Sequence, residues 1–203
     1  MGTGLRPVRA ERKLGFLFVF RQGLSRDPSG LSKQRREEGR AHHGANQKSD
    51  VLIRPATLDD IPALLRHRQG MYEDMGYNDP VALSAMVSTC TPYLEAALAN
   101  GTLHGWLACV GDQIVAGGVV LVSPWPSHPY DGQCRRATIL NMYTDPPFRR
   151  RGIARRLMQT MIAWCREQGF VHVTLHASDK GRPLYESLGF EATNEMRLKL
   201  STS

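Results

Sequence analysis

Asn141-Met142-Tyr143-Thr144-Asp145-Pro146-Pro147-Phe148-Arg149-Arg150-Arg151-Gly152-Ile153-Ala154 decides how this chain folds, because it runs from a strand through a glycine loop into a helix. The helix is predicted from spacing. Ile153, Leu157, Met161, Trp164, Cys165 and Gln168 recur every three or four residues, with Arg155, Arg156, Gln159, Arg166 and Glu167 between them. Gly169 supplies a left-handed stop. Pro146 and Pro147 lack N–H donors and cannot continue a central strand, so the strand through Ile139 to Thr144 ends there.

The first turn of a helix leaves its amide N–H groups without intrahelical acceptors, and the helix dipole makes that end positive. Gly152 has no side chain to keep an anion from those amides, and Arg149, Arg150 and Arg151 add forked cationic donors just ahead of it. A diphosphate fits this end. Arginine runs are more often plain solvated loops, so support is needed from elsewhere. It comes from Leu175 to Phe190, which reads as a strand end, a Ser178/Asp179 N-cap, a short helix and a glycine stop. The order is then strand, phosphate loop, helix, strand, helix, strand.

On these residues the chain resembles the GNAT superfamily of acetyl-CoA-dependent N-acetyltransferases. Arg149-Arg150-Arg151-Gly152-Ile153-Ala154 is similar to the family's pyrophosphate pattern of Gln or Arg, two variable residues, Gly, one variable residue, then Gly or Ala. Pro183-Leu184-Tyr185-Glu186-Ser187-Leu188-Gly189-Phe190 resembles its Leu-Tyr-x-x-x-Gly-Phe signature at the expected separation. The likeness runs from about Val51 to the end. It implies a mixed α/β fold: a mostly antiparallel twisted sheet, splayed between its fourth and fifth strands and flanked by about four helices. Val51 to Thr57 is the opening strand, with Thr57 as an N-cap, and helical patterns continue to Asn100. Leu103 to Val110 and Gln113 to Val122 form a hairpin at Gly111-Asp112, the second strand apolar enough to be buried on both faces.

The same resemblance assigns the site. The main chain of Met142, Tyr143 and Thr144 holds the pantetheine arm and polarises the acetyl carbonyl. Arg149, Arg150, Arg151, Gly152, Ile153, Ala154 and Arg155 take the diphosphate. Tyr185 matches the family tyrosine near the thioester sulfur, where a phenol of pKa about 10 protonates a leaving thiolate. Ser178 stands where many members have an asparagine that bonds the pantetheine arm, and Gly181 where a small residue lets the cofactor pass. Several members carry a glutamate on the strand that here reads Ile139 to Tyr143; this chain has Asn141, which cannot usefully take a proton. The base must then lie elsewhere or act through water. Met71 to Tyr77 closes the first helical region, where the family commonly forms its acceptor pocket, so Glu73 is the candidate catalytic base and Asp74 the alternative. Ser123 to Tyr130, rich in proline and aromatics, reads either as a wall of that pocket or as a homodimer contact.

Composition sets apart a basic, disordered extension at residues 1–50 from residues 51–203, which the resemblance marks as an N-acetyltransferase domain. The extension holds 11 Lys+Arg against 5 Asp+Glu, a net of +6, which leaves 26 − 11 = 15 against 19 − 5 = 14, or +1, for the rest. The pI near 9.5 therefore belongs to the extension. Leu14 to Phe20 is its only apolar run, too short to span a bilayer and without a signal-peptide cleavage site, so no membrane partner is expected. Cys90, Cys109, Cys134 and Cys165 form no Cys-x-x-Cys pair and read as reduced thiols of a cytoplasmic protein, with no metal. His172 and His176 alternate with apolar residues along a strand, as on a packed second face. Three function classes follow in order. The first is an N-acetyltransferase using acetyl-CoA on a small amine, amino acid or peptide N-terminus. The second is a non-catalytic CoA-binding or sensory domain. Last comes a nucleic-acid binder working through the basic tail and the arginine run.

Overall fold

Thr57 and Asp60 organise the entry into the first helix of the fold, which a computed structural model describes for residues 50–200 apart from 128, 130 and 199. The expectations for residues 1–49, Leu14 to Phe20 included, and for His128 and Tyr130 lie outside the described residues. β1 (Val51–Pro55) leads to a 3-10 turn (Leu58–Asp60). Asp60 Oδ2 accepts from the Thr57 N–H at 2.8 Å and from Thr57 Oγ1 at 3.1 Å, and its two oxygens take the Arg54 guanidinium at 2.7 Å each. That fork holds the Asp60 carboxyl down at about 2 from its usual 3.8.

α1 (Ile61–Asp74) and α2 (Pro80–Ala99) follow, the second capped by Asp79 Oδ1, which accepts from the N–H groups of Val81 and Ala82. α2 is long and apolar enough by composition to cross a bilayer, with Glu95 its one charged residue. Its buried Leu83, Leu94 and Ala97 account for part of that apolar character as core packing. β2 (Leu103–Val110), β3 (Gln113–Pro124) and β4 (Arg135–Thr144) complete an antiparallel run. Then come a 3-10 turn (Pro146–Phe148), α3 (Ile153–Glu167), β5 (Val173–Leu175) and α4 (Arg182–Glu186).

The sheet order is β1-β2-β3-β4-β5, with β5 parallel to β4 and every other pair antiparallel. β5 pairs only with Ala137 to Ile139, and β4 runs on to Thr144 after β5 has ended. The two strands therefore part, as expected of the splay. α3 covers one face through Ile153, Leu157, Met158, Met161 and Cys165, packed on Trp106, Ala108, Val120 and Ile139. α1 and α2 cover the other through Ile61, Leu64, Leu65, Leu94 and Ala97, packed on Leu107 and Val119. β3 lies between the layers and is buried without a break from Val115 to Val120, the burial on both faces that its apolar run predicts.

Three local expectations fail. No strand follows Phe190 among the described residues: residues 191–198 form neither helix nor strand. His172 and His176 are exposed rather than packed, since β5 spans only the residues between them. Ser178 is not the N-cap of α4; its hydroxyl and carbonyl accept from the Gly181 N–H at 3.2 and 3.0 Å, closing the turn before the helix, which Gly181 caps.

Candidate active site

The site begins with a break in the β3–β4 ladder. Gly117 faces Tyr143 and Val119 faces Leu140, so Gly118 is opposed by both Asn141 and Met142, a bulge. Asn141 takes φ +60°, a conformation that asparagine tolerates better than most residues. It is buried, and both ends of its amide are used: Nδ2 donates to the Leu64 carbonyl at 3.1 Å and Oδ1 accepts from Arg68 Nη1 at 3.1 Å. The extra residue reverses the alternation beyond it. Met142 now packs over Gly118 on the α3 side, and Tyr143 turns toward α1. The place where a catalytic glutamate was considered is thus a backbone device that aims Tyr143.

Tyr143 lies against α1 at Gly70, where an added Cβ would come within 2.7 Å of the phenol carbon and oxygen. Glycine is required there by crowding. The Arg149 guanidinium sits over the ring at 5.4 Å, and His67 is its neighbour at 5.5 Å between centroids. Burial raises the Tyr143 pKa above 10, the nearby Arg149 charge working against it. His67 is fully buried and held down at about 4 by burial, with Arg66 adding to the effect, so it is neutral at physiological pH. Its Nε2 faces Arg66 Nη2 at 3.0 Å, which makes Nε2 the acceptor and puts the proton on Nδ1.

At the end of β4 the chain turns through Pro146–Phe148 into α3. Gly152 adopts φ +78° as the N-cap, and an added Cβ there would meet open space, so glycine is required by conformation and leaves the approach clear. The first helical bond in this turn runs from the Arg156 N–H to the Gly152 carbonyl. The amides of Ile153, Ala154 and Arg155 precede it and have no intrahelical acceptor. Ile153 buries its side chain in the core, so it offers the loop only its amide. Arg150 and Arg151 are exposed and make no ion pair among the described residues; Arg151 stacks on Phe148. Arg149 is differently placed. Its Nε donates to the Thr144 carbonyl at 2.8 Å, and its Nη atoms bind the Asp74 carboxylate at 2.5 and 3.3 Å. Arg155 donates to Ser187 Oγ at 2.7 Å, tying the loop helix to the turn after α4.

Tyr185 is partly buried on α4, edge-on to Phe190, with its pKa raised by that burial. An added Cβ at Gly181 would fall 2.9 Å from the Tyr185 ring, so the small residue makes room for the tyrosine itself. Ser178 is exposed. Glu73 is exposed on α1 and accepts from Gln69 Nε2 at 2.8 Å, while the adjacent Asp74 is the partner of Arg149.

Glu73 and Tyr143 share a cavity of about 760 Å³ between α1 and α2, walled also by Asp59, Arg66, Gln69, Gly70 and Glu95. A second hollow of about 510 Å³, touching Gln69, Glu73 and Val87, continues from it. Arg66 is held at the wall: Nη1 donates to Asp145 at 2.7 Å and Nη2 to the Ile114 carbonyl at 2.9 Å. The described part of the Ser123 to Tyr130 loop lines neither hollow. Of the residues lining the first hollow, sequence reasoning had singled out Glu73 and the main chain of Tyr143, but not the Tyr143 side chain, Gly70, Asp59 or Glu95. A glycine in the middle of a helical pattern, at Gly70, was the available signal of a close approach.

A profile of the acetyltransferase (GNAT) family matches residues 67–190. Among solved structures the chain is similar to a GCN5-related N-acetyltransferase from Ralstonia eutropha JMP134, at 36% identity and a TM-score of 0.70 over 74% of this chain and 99% of that one. It is also similar to a predicted acetyltransferase with acetyl-CoA from Clostridium acetobutylicum, at 30% identity and a TM-score of 0.67 over 75% and 96% of the two chains. Human N-acetyltransferase 8 is 31% identical over 64 residues, a match that spans 30% of this chain and only 28% of the human protein.

Proposed function

We propose, for a chain that belongs to the acetyltransferase (GNAT) family, that it transfers the acetyl group of acetyl-CoA to the primary amine of a small molecule, amino acid or peptide N-terminus by direct attack. The observation that carries this reading is the run of acceptor-free amides at Ile153, Ala154 and Arg155 behind a left-handed Gly152, at the end of a strand whose edge is unpaired beyond Ile139. That donor set fits a diphosphate followed by an amide-bearing arm. Gly152 and the amides after it hold the diphosphate, with Arg150 and Arg151 supplying charge. Met142, Tyr143 and Thr144 offer main-chain groups along the splay. Bound there, acetyl-CoA supplies an activated thioester.

The residues of the chain then have separate tasks. The cavity between α1 and α2 holds the amine, which must lose its ammonium proton before it can attack; Glu73, exposed to that cavity, takes it directly or through water. A main-chain N–H of β4 stabilises the negative charge that develops on the carbonyl oxygen. The C–N bond forms, the C–S bond breaks, Tyr185 gives its phenolic proton to the departing thiolate, and the second proton, shed by the acetylated nitrogen, returns through water to the tyrosinate. Residues 51–203 suffice for this chemistry, and the four cysteines suit a reducing cytoplasm. The test is a panel of amines, amino acids and peptides with acetyl-CoA, reading released thiol. Turnover with at least one acceptor is expected. Thermal stabilisation by CoA without turnover on any of them would replace the enzyme by a CoA-binding domain.

A further inference from the structure

Asp74 closes α1 with a charge of the wrong sign for its place. The C-terminal end of a helix is its negative end, and a carboxylate there is unfavourable unless cations meet it. Arg149 and Lys180 meet it. Arg149 brings Nη2 to Asp74 Oδ2 at 2.5 Å and Nη1 to Oδ1 at 3.3 Å, and Lys180, in the turn before α4, directs Nζ to the Asp74 carbonyl at 3.5 Å. Arg149 also donates from Nε to the Thr144 carbonyl at 2.8 Å, so every nitrogen of its guanidinium is engaged. Held there, the guanidinium carbon lies 5.4 Å from the centre of the Tyr143 ring, within reach of cation–π attraction. The same phenol is pressed against Gly70 of α1 and walls the acceptor cavity. Arg149 thus links the end of β4, the cavity wall and the last turn of α1. Arg150 and Arg151 make no such pair among the described residues. Asp74 itself lines neither hollow.

We propose that Asp74 and Arg149 form a positioning pair for the transfer: Asp74 holds the first arginine of the loop off the diphosphate and over Tyr143, where it fixes the wall of the acceptor cavity. This rests on reading that cavity as the acceptor site and Gly152 with the amides after it as the diphosphate site. The arginine run is then divided in duty. Arg150 and Arg151 serve the cofactor, while Arg149, beside them in sequence, serves the acceptor. The side chains of the pair are 36% and 37% exposed, and an ion pair so placed adds little to stability. Its removal therefore moves ligand binding more than melting. Freed from Asp74, the Arg149 guanidinium can swing to the diphosphate, while Tyr143 and the end of α1 lose the tie that holds them. The two affinities then change in opposite directions, cofactor tighter and acceptor weaker. A tie that merely supported the fold would weaken both.

The experiment has a binding arm and a turnover arm. Calorimetry on the full chain measures the affinity for CoA, and thiol release at saturating acetyl-CoA measures KM and kcat for the best acceptor of the panel. Asp74→Asn is expected to bind CoA about threefold tighter and to raise the acceptor KM about fivefold, with kcat kept within about twofold and Tm within about 3 °C of wild type. Arg149→Gln raises the acceptor KM by the same factor but leaves CoA affinity within about twofold. The double variant matches Arg149→Gln, because Asp74 acts only through its partner. Asp74→Glu keeps a carboxylate within reach of Arg149 and stays within about twofold of wild type in both arms. CoA binding weakened about threefold or more in Arg149→Gln would put that side chain on the diphosphate and overturn the proposal. CoA and acceptor weakened together in Asp74→Asn would reduce the pair to fold support, and a fall in kcat that rising pH restores would make Asp74 the base; either result overturns it as well. If no acceptor is turned over, the binding arm decides alone. Tighter CoA binding in Asp74→Asn that vanishes in the double variant would keep the restraint on Arg149 and refute the transfer reaction, whereas its absence would overturn the pair.

Discussion

Replacing Asn141 separates the bulge that aims Tyr143 from the side-chain bonds that hold it. In Asn141→Ala the amide loses its bond to the Leu64 carbonyl, about 1 kcal/mol, and its bond to the Arg68 guanidinium, about 2 kcal/mol because the donor is charged. Arg68 Nε is already buried with no partner among the described residues, which adds to the cost of stripping another bond from that group. The φ of +60° costs alanine about 1 kcal/mol more. The total is about 4 kcal/mol, or about 10 °C in Tm for a domain of this size. Asn141→Gly loses the same bonds but keeps the backbone conformation, so it is more stable than Asn141→Ala by about 1 kcal/mol. Thermal unfolding followed by circular dichroism measures both, and the KM for the amine reports the position of Tyr143. An alanine variant as stable as the glycine variant, or either with wild-type Tm, would refute the bulge as the device that sets this site.

Other perturbations test other parts. Tyr185→Phe is expected to lower kcat about a hundredfold with little change in KM, the usual size of a general-acid contribution. The raised pKa of Tyr185 keeps the phenol protonated across neutral pH, so full activity in the phenylalanine variant would remove it from the mechanism. Gly152→Ala puts a side chain on a φ of +78°, costing about 1 kcal/mol, and sets a methyl in front of the free amides. Its Tm falls by about 3 °C, and it loses most of the thermal stabilisation given by CoA; unchanged stabilisation would contradict the diphosphate assignment. The Asp60 carboxyl is held at about 2 in the folded protein against an ordinary 3.8, so its contribution is complete above 3.8 and disappears as pH falls toward 2. The Tm gap between wild type and Asp60→Asn, measured across acid pH, should close over that window; a gap independent of pH would contradict the Arg54 fork.

Much of the framework was legible because local chemistry punctuates it. Gly111-Asp112 ends one strand and begins another, and Gly169 at φ +78° terminates α3 one residue beyond its C-cap. The apolar period of α3 is the same set of residues that fills the core under it. The glycine turn that opens α3 could be read for the same reason, since Gly152 and the amides it leaves free are neighbours in sequence. Asn141 could not, because its role depends on Leu64, 77 residues away, and on a positive φ that no spacing reveals. The cavity was hidden likewise: Asp59 and Glu95 line one hollow only through the packing of α1 on α2. The pairing of Arg149 with Asp74 joins two residues that sequence reasoning gave separate duties, one to the diphosphate and one to the acceptor end.

The central claim is that the acetyl group passes from CoA to an amine held between α1 and α2. Its most direct measurement is a parallel count of the two products, free CoA thiol and acetylated amine, the latter by mass spectrometry, from residues 51–203 alone. One acetylated amine per thiol, at a rate that Gly152→Ala depresses, is the predicted result. Thiol released without acetylated amine, or no product of either kind from a protein that binds CoA, would contradict it.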